Sequence, residues 1–139
     1  MSHTVVFDNE AVQALSSPDH PKHNKVVGHL QVLASRKRKA ERIAIVVPTC
    51  VRVEAGWDRT DRAWAFANRL GIADVVLGAD HANVAAAIRS RIGTHISVVD
   101  AHVGSVLQSS TTDRVSVITS DPSDMKAVAE AKPVVVVTI

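Results

Sequence analysis

Short runs rich in β-branched and other apolar residues recur along the chain at residues 4–7, 43–47, 74–77, 115–118 and 134–137. Unbroken apolar runs of this length suit strands covered on both faces, and segments of helical period fill the gaps between them. This alternation predicts an α/β fold in which helical crossovers join parallel strands. Val26, Val27, Leu30, Leu33 and Ala34 mark an amphipathic helix that runs into the basic stretch Arg36, Lys37, Arg38, Lys39. Pro48 suits a first helical position, after which Cys50, Val51, Glu54 and Trp57 fall on one inward face. Ala63, Phe66, Ala67 and Leu70 form a packing stripe that stops at Gly71, and Val84, Ala85, Ile88 and Ile92 form another that stops at Gly93. Asp100 heads a segment whose Val103, Val106 and Leu107 stack on one side, which would turn this acid toward the sheet. No repeat, low-complexity tract or linker interrupts the series, so residues 1–139 are expected to make one domain.

Against this apolar pattern, four carboxylates stand out. Asp8 closes the first strand, Asp121 follows the fourth, Asp100 follows the apolar residues 96–99, and Glu54 lies between Val53 and Ala55. Taking an ionised carboxylate out of water is unfavourable unless something pairs with it. Asp8, Asp100 and Asp121 each have a plain structural role open to them, as caps of the helices that follow. Glu54 does not, because it lies well inside its helix. In open parallel sheets the ligand crevice lies outside the carboxyl ends of the strands, so the four acids are placed to meet at one rim and bind a cation.

Charge adds a second asymmetry. The net charge is only +2, yet residues 22–69 carry eleven Lys and Arg against four acids. A basic segment beside an acidic pocket suits a polyanionic ligand, with Lys37, Lys39, Arg52, Arg59, Arg62 and Arg69 as candidate phosphate contacts. For the basic run itself, a solvated helix end is the competing explanation. With two Phe, two Trp and no Tyr, stacking on bases is not the main device. The single cysteine, Cys50, allows neither an internal disulfide nor a cysteine zinc cluster, and a small apolar role is expected of it. His20 and His23 have a ligand-like spacing but no third partner, and are expected at the surface. His102 is directed away from Asp100 by its helical offset. The start MSHTVVFDNE lacks a basic region followed by a long apolar stretch, and no segment approaches a membrane span, so a cytoplasmic location is expected.

The segments VVFDNEAVQAL, VPTCVRVEAGW, VVDAHVGSVLQ and VSVITSDPSDM, in this order, resemble the PIN-domain nucleases, and most closely the toxin component of VapBC-type toxin–antitoxin pairs. The resemblance extends over essentially the whole chain. It implies a three-layer α/β/α sandwich around a central parallel sheet and a Mg²⁺- or Mn²⁺-dependent ribonuclease. Carried over by position, Asp8, Glu54, Asp100 and Asp121 match the family's catalytic and metal-binding acids. Asp124 matches either an auxiliary acid or a helix-start residue, and Asn9, Thr119 and Ser120 match the polar residues that orient the acids. A small cognate antitoxin and a homodimer are further implications. The chemistry agrees, since Mg²⁺ takes hard oxygen ligands and keeps several waters, and bound divalent ions assist phosphodiester hydrolysis.

Three rival readings share this pattern in part. A phosphoacceptor receiver domain wants paired acids after the first strand, where this chain has Asp8 followed by Asn9. A haloacid-dehalogenase-type phosphatase wants a second Asp two residues after the first, where Glu10 stands. A catalytically silent RNA- or protein-binding module on the same fold is the rival from a different class.

Overall fold

Five parallel strands in the order β3-β2-β1-β4-β5 form the centre of the molecule. They are β1 (Ser2–Phe7), β2 (Arg42–Pro48), β3 (Ala73–Val75), β4 (Arg114–Thr119) and β5 (Val135–Thr138). A computed structural model describes all 139 residues. The strands overlap the apolar runs of the sequence, with β3 ending at Val75 although the run expected there extends to Leu77. β1, the middle strand, is buried from His3 to Phe7, as a strand covered on both faces should be.

Helices α1 (Asn9–Ala14) and α2 (His23–Arg38) connect β1 to β2, and α3 (Thr49–Ala55) and α4 (Ala65–Asn68) lead from β2 to β3. The chain then returns across the sheet through α5 (Ala79–Ile92) and α6 (Val98–Ser109), and α7 (Pro122–Ala129) joins β4 to β5. Strand order steps one way from β1 to β3 and the other way from β4 to β5. Right-handed crossovers therefore place α1 to α4 on one face and α5 to α7 on the other. The side chains agree: His3 and Val5 of β1 line a cavity with α2, whereas Thr4 borders one with α5 and α6. The result is the α/β/α sandwich expected. Its topological switch point is the seam between β1 and β4.

Two helical readings need correction. Pro48 is the last residue of β2, and Gly56, in the left-handed region at φ 76°, ends α3 before Trp57. The stripe from Ala63 to Leu70 is not one helix but a 3-10 turn, Arg62–Trp64, followed by the single turn of α4. The Asp61 side chain accepts from the Ala63 amide, and Trp64, stacked on Trp57 at 5.7 Å, is the buried residue while Ala63 and Phe66 are exposed. Burial of the large indole outweighs the weaker apolar stripe.

On the opposite face α6 is buried all round from Ala101 to Leu107. A Cβ at Gly104 would lie 2.8 Å from both the Cβ and the carbonyl oxygen of Val128 and 3.0 Å from Ile88 Cδ1. Only glycine admits so close an approach of α5 and α7. Gln108 Nε2 donates to the Val128 carbonyl and to Glu130, which also accepts two bonds from Arg91, so this layer is cross-linked as well as packed. No helix is long and apolar enough to cross a membrane.

Candidate functional site

Asp8 stands at the switch point, its amide still in the sheet through a bond to the Ile118 carbonyl (3.1 Å). It occupies the N-cap position of α1, but its side chain caps nothing. Instead Oδ2 accepts from the Thr119 hydroxyl at 2.7 Å. Asp8 is only 7 % exposed and forms no ion pair, so it is a buried carboxylate held by one hydroxyl. Thr119 is fully buried, and its Oγ1 also accepts from the Asp121 amide at 2.9 Å. One threonine at the end of β4 thus ties the backbone of the fourth acid to the side chain of the first.

Asp100 is not a cap either. Ser97 caps α6 and accepts from the Asp100 amide at 3.0 Å, which leaves the acid in the first turn, half-buried. Burial pushes its carboxyl up to about 6, with the charges of Asp8, Asp124 and Glu54 adding to the rise and a hydrogen bond from Ser97 opposing it. Like charges close enough to act on one another raise carboxyl pKa values in this way. The four elements carrying these groups, β1, α3, α6 and α7, therefore bring their acids to one rim.

Glu54 departs from the inward position expected. The inner face of α3 holds Val51, and Glu54 is exposed. The helix has only two turns, so one buried valine satisfies it, and Glu54 leans over the rim. Partial burial and the charge of Asp8 still raise its carboxyl. Asp121 is exposed and caps α7, accepting a long 3.4 Å bond from the Asp124 amide. Asp124 itself is raised, first by a hydrogen bond with the Asp121 carboxyl, then by burial and by the charges of Asp121 and Asp8, with His95 opposing. Of the polar residues assigned an orienting role, Thr119 contacts an acid, Asn9 accepts from Gln13 at 3.2 Å, and Ser120 is exposed.

The basic residues divide sharply. Arg52 and Arg59 each bond Asp74 at 2.8 Å. Arg59 also donates to the Ile72 carbonyl and lies 4.4 Å from the Trp57 ring centre, with Arg52 at 5.8 Å. These guanidiniums are committed to a structural clamp rather than offered to a polyanion. Lys37 and Lys39 are exposed and unpaired but lie at the far end of the sheet from the acids. A crossover helix runs antiparallel to its strands, so the end of α2 sits where β2 begins, and six residues of strand amount to about 20 Å. The basic segment is thus not beside the acidic rim as a whole. Arg62 and Arg69 are exposed and make no ion pair.

The histidines hold structure in the ways open to them. His20 Nε2 lies 3.1 Å from Glu10, and His23 Nδ1 lies 2.7 Å from the Ala14 carbonyl, so both anchor the loop before α2 and are half-buried rather than fully at the surface. His102 is fully buried against α5, its ring 6.0 Å from that of His81. Cys50 is half-buried, and burial raises its thiol.

The rim offers only carboxylate oxygens, which suits a hard divalent cation. No three His, Cys, Asp or Glu side chains, however, are drawn close enough together to enclose a metal ion. The electrostatic strain at Asp100 and the buried, ion-unpaired Asp8 are what a cation would relieve. Glu54 and Asp121 are exposed, so the rim is reached by solvent on their side.

No protein-family model matches the chain, and no curated protein matches it. Among solved structures it is similar to a chain of the crystal structure of VapBC2 from Rickettsia felis bound to a DNA fragment from their promoter. The two chains are 11 % identical and superpose with a TM-score of 0.57 over 100 % of this chain and 99 % of the other. At that identity the likeness is one of fold. The chain has a VapBC-like α/β fold with an acidic rim at its switch point.

Proposed function

We propose that the chain is a Mg²⁺- or Mn²⁺-dependent ribonuclease, acting as the toxin of a toxin–antitoxin pair. The observation that carries this reading is the set of acids from four separate elements at the switch point, without one Lys or Arg paired to them, in a fold shared with a VapBC2 chain over its full length. Asp8 and Asp100 would hold the ion, with Glu54, Asp121 and Asp124 completing the site through water. Mg²⁺ commonly takes one or two carboxylates and fills its remaining positions with waters and substrate phosphate. Three enclosing side chains are therefore not required before RNA arrives.

When bound, the ion would activate water and neutralise charge developing on the phosphate. The chain's own part is positional. Thr119 fixes the orientation of Asp8 through its hydroxyl. Ser97 fixes the start of α6 and with it Asp100, whose carboxyl exchanges a proton near pH 6. Glu54, exposed on α3, borders the side from which a strand of RNA would approach.

The lack of a tight three-ligand cluster favours a second reading, a silent RNA- or protein-binding module. Cleavage of defined RNAs with Mg²⁺ or Mn²⁺ by the wild type, Asp8→Asn and Asp100→Asn separates the two. The nuclease reading expects cleavage that EDTA and either substitution abolish. Activity surviving both substitutions would overturn it, and RNA binding without cleavage would establish the silent module. By the same reading the partner is a small antitoxin, and co-expression with the product of an adjacent gene should suppress any growth arrest.

A further inference from the structure

On the α2 face of the sheet, β1, β4, β5 and α2 enclose a cavity of about 250 Å³, with its two arginines at the amino end of the strands and none of the acids in its wall. Its wall is mostly apolar: Val5, Leu33, Ile118 and Val137 form the floor, and Val32 and Val135, both about half exposed, form the lip. Two valines left open to water at the mouth of one cavity are an unfilled apolar surface.

The polar groups are few and of one kind. Arg36 comes from the last turns of α2 and Arg114 from the start of β4, and His29 lies two helical turns before Arg36. Neither arginine forms an ion pair or donates a side-chain hydrogen bond, in contrast to Arg52, Arg59, Arg89 and Arg91. Both act electrostatically on the same group, His3, so their charges converge. Glu41 also acts on His3 but pairs with neither arginine. His3 is 7 % exposed and Ser116 4 % exposed, their side chains joined by a 2.7 Å bond, while His3 Nδ1 is buried without a partner.

We propose that this cavity binds a small organic carboxylate with a compact apolar body. Two guanidiniums with free donors at the mouth match a carboxylate's paired oxygens. The apolar floor asks for a hydrocarbon body, which inorganic phosphate lacks, and mostly apolar walls with a few convergent polar groups are the usual make-up of a small-molecule site. The cavity's volume favours a body the size of a phenyl ring or a branched C4 to C5 chain.

The test is titration of the full ¹⁵N-labelled chain with phenylacetate and isovalerate, read by amide chemical shifts, with phenylacetamide and inorganic phosphate as controls. Saturating shifts are expected at the start of β1, the second half of α2, β4 and β5, with phenylacetamide and phosphate each at least tenfold weaker. Arg36→Gln and Arg114→Gln should each weaken binding at least fivefold. Val32→Trp, a change at an exposed helical position, should block it while leaving the rest of the spectrum intact. Absence of saturation, equal binding of acid and amide, equal binding of phosphate, or indifference to the arginine substitutions would overturn the proposal. Shifts of the same residues with an acidic peptide but not with the small acids would also overturn it, in favour of a protein partner.

Discussion

Asp8 and Asp74 are both carboxylates on the sheet, two strands apart, and the fold treats them in opposite ways. Asp74, on β3, receives a guanidinium on each oxygen at 2.8 Å, and those guanidiniums are braced by Trp57 and by backbone carbonyls. Asp8 is far more buried, yet has one hydroxyl and three acidic neighbours that feel its charge. Charges that stabilise the fold are neutralised within it. A buried carboxylate that no cation neutralises and whose neighbours carry its own sign adds little to folding stability, which is the arrangement the proposed cation site requires.

The sharpest way to break this contrast is to neutralise Asp8. Under the nuclease reading Asp8→Asn lowers the RNA cleavage rate about 100-fold or more, equivalent to roughly 3 kcal/mol of lost transition-state stabilisation. The variant's melting temperature should be equal to or above that of the wild type. A large fall in stability would make Asp8 structural after all. Arg59→Ala should do the reverse. It strips one partner from Asp74 and the nearer of two cations from the Trp57 ring, and should cost about 2 kcal/mol in urea unfolding, with RNA cleavage by the folded fraction unchanged. Lost RNA affinity at unchanged stability would return Arg59 to the role its position in the sequence suggested.

Asp100→Asn probes the strain itself. The carboxyl rises from 3.8 to about 6 in the folded chain, so the native state binds a proton more readily than the unfolded state between those values. Stability contributed by this group is therefore greatest below about pH 4 and falls as pH rises to 6. At pH 7 the substitution should stabilise the metal-free protein by about 1 to 2 kcal/mol, after allowance for the solvent still reaching the group. The gain should shrink as pH falls from 6 to 4, followed by thermal melting across that range. Adding Mg²⁺ should raise the wild-type melting temperature more than the variant's. The smallest effect belongs to Lys37→Gln and Lys39→Gln, which, at the opposite end of the sheet, should change RNA affinity less than about twofold and leave its salt dependence unaltered.

The strands were legible because an unbroken valine-rich run bounded by turn residues has few other uses. The position of Asp8 and Asp121 at the carboxyl ends of strands followed from the apolar runs alone, whereas the strand order that makes this the switch point did not. What stayed hidden were relations that depend on which side chain wins a shared space. Trp64 rather than the stripe from Ala63 to Leu70 organises the residues before β3, and no periodicity announces that choice. Glu54 was expected on the inner side of its helix, but a two-turn helix needs only Val51 inside, so the acid rides outward. Arg52 and Arg59 look like free cations until Asp74, over a dozen residues later, comes into register beside them through the pairing of β3 with β2. The cavity by Arg36 and Arg114 joins segments nearly 80 residues apart, and only the fold brings them together.

Gly104 has a bearing on the rim that its distance from any acid conceals. It lies one helical turn after Asp100, and the gap it leaves is filled by Val128 and Ile88. The missing methyl group works as a spacer gauge: it sets how deeply α6, the helix that carries Asp100, is seated between its neighbours. Adding one carbon at position 104 would lift the helix and carry the carboxylate with it. The seat of the helix that carries Asp100 is thus set from the core, by a side chain that is not there.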